Sequence, residues 1–141
     1  MNASKIISGT WGTIWKDGVE MADATAMQAK VSYSYQSITQ LRQMMEDRKL
    51  IGMKGTGSIT VNHVYTRSAE TLSDAMKGHD ARFSIVCALA DPDSYGYERV
   101  ALYGVSYDEA TLADFAAGKP GTMTMAFAFT GCEFLDKIEV Q

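Results

Sequence analysis

Residues 121–131 read Gly-Thr-Met-Thr-Met-Ala-Phe-Ala-Phe-Thr-Gly. Met123, Met125, Phe127 and Phe129 alternate strictly with Thr122, Thr124, Ala126, Ala128 and Thr130. Successive side chains on a strand point to opposite faces, so this segment has one large apolar face and one small, smooth face. The large face must be buried in a core. The small face can lie against water or another backbone, and it offers no acid, base, nucleophile or metal ligand. A sheet built this way is a wall.

The rest of the chain repeats the pattern. Thr10 to Lys16 reads as a strand, and Asp17-Gly18 is a two-residue hairpin signal before Val19–Ala22 returns. Residues 27–36 alternate through Ala29, Val31, Tyr33 and Tyr35, and Ser58 to Tyr65 alternates through Ile59, Val61 and His63. Arg82 to Ala90, with Phe83, Ile85, Cys87 and Leu89 on one side, and Tyr97 to Tyr107 form a long hairpin across the Asp91–Gly96 turn. A helix is expected at about 67–77, stopped by Gly78, and a second, short one after Thr111-Leu-Ala-Asp114, ended by Gly118 and Pro120. Residues 37–54 change period. Ser37-Ile38-Thr39-Gln40 matches a capping box, with Ile38, Leu41, Met44 and Met45 at helical spacing, but Gly52, Gly55 and Gly57 follow. This segment is expected to protrude, with a short helix at most; the rival reading is an amphipathic helix over 37–51 that covers its own core.

The sum is six or seven strands with two small helices, which favours an antiparallel β-sandwich or partly closed barrel with a flanking helix. At 141 residues the chain is read as one domain, 1–141, long enough to bury a real core. No apolar run approaches the roughly 20 residues of a membrane span. The N-terminal residues have no extended apolar core, so no secretory signal is expected. Cys87 and Cys132 are expected to be buried and reduced rather than paired.

A formal net charge of −4 argues against a nucleic-acid grip, which needs a basic surface to displace counterions. The charge is unevenly spread. Residues 38–54 hold Arg42, Arg48, Lys49 and Lys54 against Glu46 and Asp47, a local net charge of +2.

Searches for chemistry return bland readings. His63 fits a half-buried structural residue and His79 a solvated one, neither with a ligand partner at metal spacing. Gly52-Met-Lys-Gly55-Thr-Gly57 lacks the following helix whose N-terminal amides would hold a phosphate. Asp91 and Asp93 suit turn-making better than calcium binding, and Asp108-Glu109 suits a helix start. The tyrosines, without interleaved Lys and Arg, read as sheet and interface residues rather than a base-stacking groove. No catalytic, cofactor or metal residue is assigned.

Five stretches occur in order: Ile7-Ser-Gly-Thr-Trp-Gly-Thr-Ile-Trp15, Met27-Gln-Ala-Lys-Val31, Lys54-Gly-Thr-Gly-Ser-Ile-Thr-Val61, Ala90-Asp-Pro-Asp-Ser-Tyr-Gly96 and Phe134-Leu-Asp-Lys-Ile138. On these the chain resembles the XkdM-like family of phage tail tube proteins, found in contractile tails, defective prophages and phage-tail-like bacteriocins. The resemblance implies hexameric rings stacked into a hollow tube, a passive conduit for DNA in a phage or ions in a bacteriocin. It also implies a sheath around the tube, tape-measure and baseplate proteins as partners, assembly in the bacterial host cytoplasm, and no stable membrane binding. No enzymatic residue comes with it.

From the residues, segment 38–53 is then the candidate inter-ring contact. Leu41, Met44, Met45, Leu50, Ile51 and Met53 are packing material, while Arg42, Arg48 and Lys49 supply register. Lumen positions are expected to be small, polar or acidic, with the Thr/Ala face of 122–130 one contributor or, instead, a surface packed on a helix. Lateral contacts are expected from strand edges, with 1–10 and 133–141 as candidate arms. Two rivals stand beside this reading: a type VI secretion-like tube subunit, and a small β-barrel enzyme or ligand binder.

Overall fold

The computed structural model describes residues 3–63, 69–93 and 96–138. Two 3₁₀ turns (Ala3–Lys5 and Gly9–Trp11) precede β1 (Gly12–Lys16) and β2 (Val19–Glu20), joined by the expected turn with Asp17 and Gly18 at positive φ. Then come β3 (Ala24–Ile38), β4 (Asp47–Asn62), α1 (Ala69–Met76), β5 (Phe83–Leu89), β6 (Glu98–Tyr107), β7 (Thr122–Phe129) and β8 (Gly131–Asp136). All ladders are antiparallel, in the order β2-β1-β5-β6-β7-β4-β3, with β8 also on β6. The result is one open antiparallel sheet with a single α-helix among the described residues.

β6 is the strand that turns the sheet. Its residues 99–103 pair with β8, whereas Ser106 and Tyr107 pair with β7. Between them Gly104 has φ +63, and the β5–β6 register jumps from Phe83↔Val105 to Ile85↔Leu102. An extra residue in the left-handed region is a bulge that bends and twists its strand, and glycine adopts that conformation without a Cβ penalty. The bend lets both halves of the sheet contribute to one core. Ile59, Val61, Met123, Met125, Phe127 and Phe129 come from one half, and Phe83, Ile85, Leu102 and Val105 from β5 and β6. The alternation in 122–129 is thus realised as read, with the Met/Phe face buried and Thr122 and Thr124 exposed.

Opposite the two phenylalanines, β4 has no side chains. Gly55 pairs with Phe129 and Gly57 with Phe127, so each ring lies over a glycine where a Cβ would strike it. The three glycines that superficially suggested a phosphate loop are strand residues, and two of them, Gly55 and Gly57, make room for aromatic rings. Asp91 is a second local device. Its buried carboxylate accepts the Ser8 and Asp93 N–H groups, each at 2.9 Å, and ties the N-terminal segment to the β5–β6 turn.

Several expectations are corrected. Residues 37–54 hold no helix: β3 continues to Ile38 and β4 begins at Asp47, leaving only 39–46 as a connection. An eight-residue stretch gains little from a helical turn, because nucleation is unfavourable, whereas the flanking residues each join a ladder. The short helix after Thr111 is likewise absent, since too few residues precede Gly118, which has φ +77. Residues 133–136, expected as part of an arm, belong to β8. His63 is exposed rather than half-buried, and Cys132 is exposed while Cys87 is half-buried. Residues 64–68, covering the expected end of one strand and start of the helix, lie outside the described residues, as do 1–2 and 139–141 of the expected arms.

Candidate assembly surfaces

β3 and β4 outrun the sheet. β4 is paired by β7 only from Gly55 to Asn62, so its first residues and residues 32–38 of β3 stand out as a two-stranded arm. Pairing runs Ser32↔Lys54, Tyr33↔Met53 and Ser34↔Gly52, then Tyr35↔Leu50, Gln36↔Lys49 and Ser37↔Arg48, with Ile51 bulged out. Period two therefore gives the arm two unlike faces. One, continuous with the core face through Val31, carries Tyr33, Tyr35, Met53 and Leu50. The other carries Ser32, Ser34, Gln36, Lys49 and Lys54. Arg48 lies with its guanidinium 4.0 Å from the centre of the Tyr35 ring.

At the tip, Leu41 is 96% and Met44 102% exposed, with Met45 close behind. Arg42 has φ +69, a conformation that non-glycine residues adopt in tight turns. All the residues singled out from sequence, Leu41, Arg42, Met44, Met45, Arg48, Lys49, Leu50, Ile51 and Met53, thus sit together on the arm or its tip. Tyr33 and Tyr35, expected as sheet and interface residues, prove to belong to the same arm, a link not drawn from the sequence. Their alternation with serines was the available signal, but it was read as an ordinary half-buried strand.

Three further surfaces matter. β3 presents its outer edge, opposite β4, without a described partner strand over its 15 residues. Such an edge is a template for another chain. Second, the small face of β7 joins Thr56, Ser58 and Thr60 of β4 and Ala26, Gln28 and Lys30 of β3. The Thr60 and Thr124 hydroxyls lie 3.2 Å apart. No carboxylate occurs among these positions, so the chain's acidity lies elsewhere than on this face. Third, an open groove of about 1410 Å³ runs between β3 and the β1-β5-β6-β8 half, lined by residues such as Ile14, Met27, Leu89, Leu102 and Phe134.

None of these surfaces assembles a reaction centre. The groove's charged residues are Glu20, Lys30, Lys54 and Glu98, and neither histidine lines it. Among the described residues no group of three or more His, Cys, Asp or Glu is placed to hold a metal. Burial, with Glu98 nearby, pushes the Cys87 thiol up, which makes it a poorer nucleophile. Tyr103 donates to Glu133 at 3.1 Å, and that bond raises its hydroxyl above the usual range. These are the interactions of a sheet surface, not of a general acid–base pair.

An open sheet with a long edge and an amphipathic arm, with no convergent chemistry among the described residues, has the build of a subunit that presents surfaces to other chains. The sequence profile of the phage tail tube proteins matches residues 1–136, and the chain belongs to that family. The phage-like element PBSX protein XkdM of Bacillus subtilis (strain 168) is 33% identical over 115 residues, covering 80% of this chain and 78% of that protein. Among solved structures, the sheath/tube terminator of an extracellular contractile injection system, PVC, in its extended state superposes with a TM-score of 0.76 at 6% identity, over 92% of this chain and 96% of that one. A chain in the tail of an empty gene transfer agent particle, refined with C6 symmetry, gives a TM-score of 0.54 at 15% identity, over 92% and 98%. Such distant likenesses show the fold. Family membership makes this a structural tail component, not an enzyme.

Proposed function

We propose that this chain is the repeating subunit of the inner tube of a phage tail or phage-tail-like contractile particle. Six copies close a ring through strand edges, and rings stack head to tail with the arm on one side of each junction. The observation that carries the reading is the 15-residue edge of β3, without a partner strand among the described residues, beside an arm whose apolar face is exposed in the single chain. A heterologous contact that does not close on itself propagates into a filament, as a tube axis requires.

The Thr/Ala/Ser face of β7 and β4 is the proposed lumen wall. It is smooth and carries no carboxylate, with Lys30 and, at the arm's base, Lys54 as its charges, so cargo slides because little there holds it, not because an acidic wall repels it. DNA in a phage, or ions in a bacteriocin, is the proposed cargo. Sheath, tape-measure and baseplate proteins are the proposed partners, met during assembly in the host cytoplasm. A sheath partner is supported by the resemblance to the contractile injection system protein, and six-fold closure by that to the C6-symmetric tail.

Sedimentation velocity and negative-stain microscopy over rising protein concentration test this. Rings or rods with a central hole are expected, and a species that stays monomeric throughout would refute it.

A further inference from the structure

A head needs a tail, and the topology identifies one. The arm leaves the sheet beyond Gly55↔Phe129. Segment 108–121 leaves β6 after Tyr107, opposite Phe127, and returns at Thr122, opposite Asn62. Its last residue extends that end, with the His63 N–H donating to the Gly121 carbonyl at 2.8 Å. Segment 108–121 thus starts beside the middle of β7, where the Asp108 N–H donates to the Ala126 carbonyl, and closes at the end of the β4–β7 pair opposite the arm. Gly55 to Asn62 lie between that end and the arm, and all 16 residues of β4 between it and the arm's tip. At about 3.3 Å per residue that strand spans on the order of 50 Å.

The two ends are chemically complementary. The arm segment 38–54 has a net charge of +2 and three highly exposed apolar side chains at its tip, Leu41, Met44 and Met45. Segment 108–121 holds Asp108, Glu109 and Asp114 against Lys119, a net charge of −2, and exposes Leu112 at 81% and Phe115 at 89%. It has no secondary structure of its own, so its side chains can adjust to what meets them. Large apolar groups exposed on a charged segment are a liability on a lone chain and ordinary at the centre of an interface with a charged rim.

We infer that the arm of one copy docks on segment 108–121 of the next copy along the axis, Leu41, Met44 and Met45 against Leu112 and Phe115, with Arg42, Arg48 and Lys49 facing Asp108, Glu109 and Asp114. This rests on the tube reading and adds the identity of the receiving surface. The open groove is the rival receiver and fits less well. Its acidic and basic residues balance, and Tyr33, Met53 and Lys54 of the arm's own base line it, so it opens beside the head rather than at the opposite end. Opposite charges at an interface rim act on encounter and register.

A photo-reactive phenylalanine analogue replacing Met45 in assembled rods should cross-link to a peptide within 108–119 of another copy. Cross-links to groove strands, or elsewhere outside 108–119, overturn the inference while leaving the tube intact. If the unmodified chain forms no rods, the tube reading fails first. In parallel, Arg48→Glu with Lys49→Glu should slow rod growth about tenfold at low salt, as should Glu109→Lys with Asp114→Lys, which leaves the arm untouched. The four changes together should restore growth to within about threefold of the original. Unaltered growth in the Glu109→Lys/Asp114→Lys variant, or no restoration in the combined one, also overturns it.

Discussion

Gly57 offers the sharpest test of how the wall is packed. A Cβ there would meet the backbone carbonyl of Gln28 on one side and the Phe127 ring on the other, Cζ at 2.6 Å. The ring is fully buried, and the carbonyl belongs to β3, the strand paired with Gly57, so neither gives way cheaply. Overpacking of this kind costs about 1–3 kcal/mol, and contact with backbone puts it at the upper end. Replacing a strand glycine by alanine returns roughly 0.5–1 kcal/mol of backbone entropy. The net expectation for Gly57→Ala is a loss of about 2 kcal/mol. Gly55 differs because the nearest atoms its Cβ would meet all belong to the Phe129 ring, a side chain that can shift where backbone cannot, so Gly55→Ala should lose less than Gly57→Ala, about 1 kcal/mol. Gly52, with open space around it, serves as control, and Gly52→Ala should be neutral or gain up to about 0.5 kcal/mol. Urea unfolding of dilute, dispersed protein, followed by circular dichroism, measures all three. Equal stability for Gly57→Ala and Gly52→Ala would refute the packing argument.

Replacing residues 39–46 by a two-residue Asn-Gly turn should leave the far-ultraviolet spectrum unchanged, because Leu41, Met44 and Met45 bury almost nothing in the single chain, yet abolish rods in negative stain. Asp91→Ala removes the acceptor of two backbone N–H groups and should cost about 2 kcal/mol in urea unfolding. Thiol labelling of the folded chain should be biphasic, with exposed Cys132 reacting first. Cys87 should react slowly and gain on rising pH only above the ordinary thiol range, because burial raises its thiol. By the same linkage, native Cys87 holds its proton longer than the unfolded chain does. Its contribution to stability is therefore complete below the ordinary thiol value of 9.0 and lost as pH climbs past it, a loss that Cys87→Ala should remove.

What could be read in advance follows physical lines. The faces of β7 were legible because period two leaves a trace in every residue, and the Asp17-Gly18 turn because positive φ restricts composition. The arm's composition was legible and its conformation was not. Ile38, Leu41, Met44 and Met45 have helical spacing, yet three of them cover nothing of their own chain, so their spacing records no packing. Local capping signals at Ser37 and Thr111 likewise lost to strand pairing and to a stretch too short to nucleate. The roles of Gly55 and Gly57 needed the register with Phe127 and Phe129, which only the fold supplies. Gly104 was invisible as a hinge for the same reason, since its neighbours on β5, β7 and β8 come from distant parts of the sequence.

A helical reconstruction of rods grown from the purified chain at side-chain resolution would test the central claim most directly. The account predicts hydrogen bonds from the outer edge of β3 to a neighbouring copy, with Thr122, Thr124 and Thr60 facing a central channel. Rods in which that edge meets only solvent, or in which the threonine face is buried between copies, would contradict it.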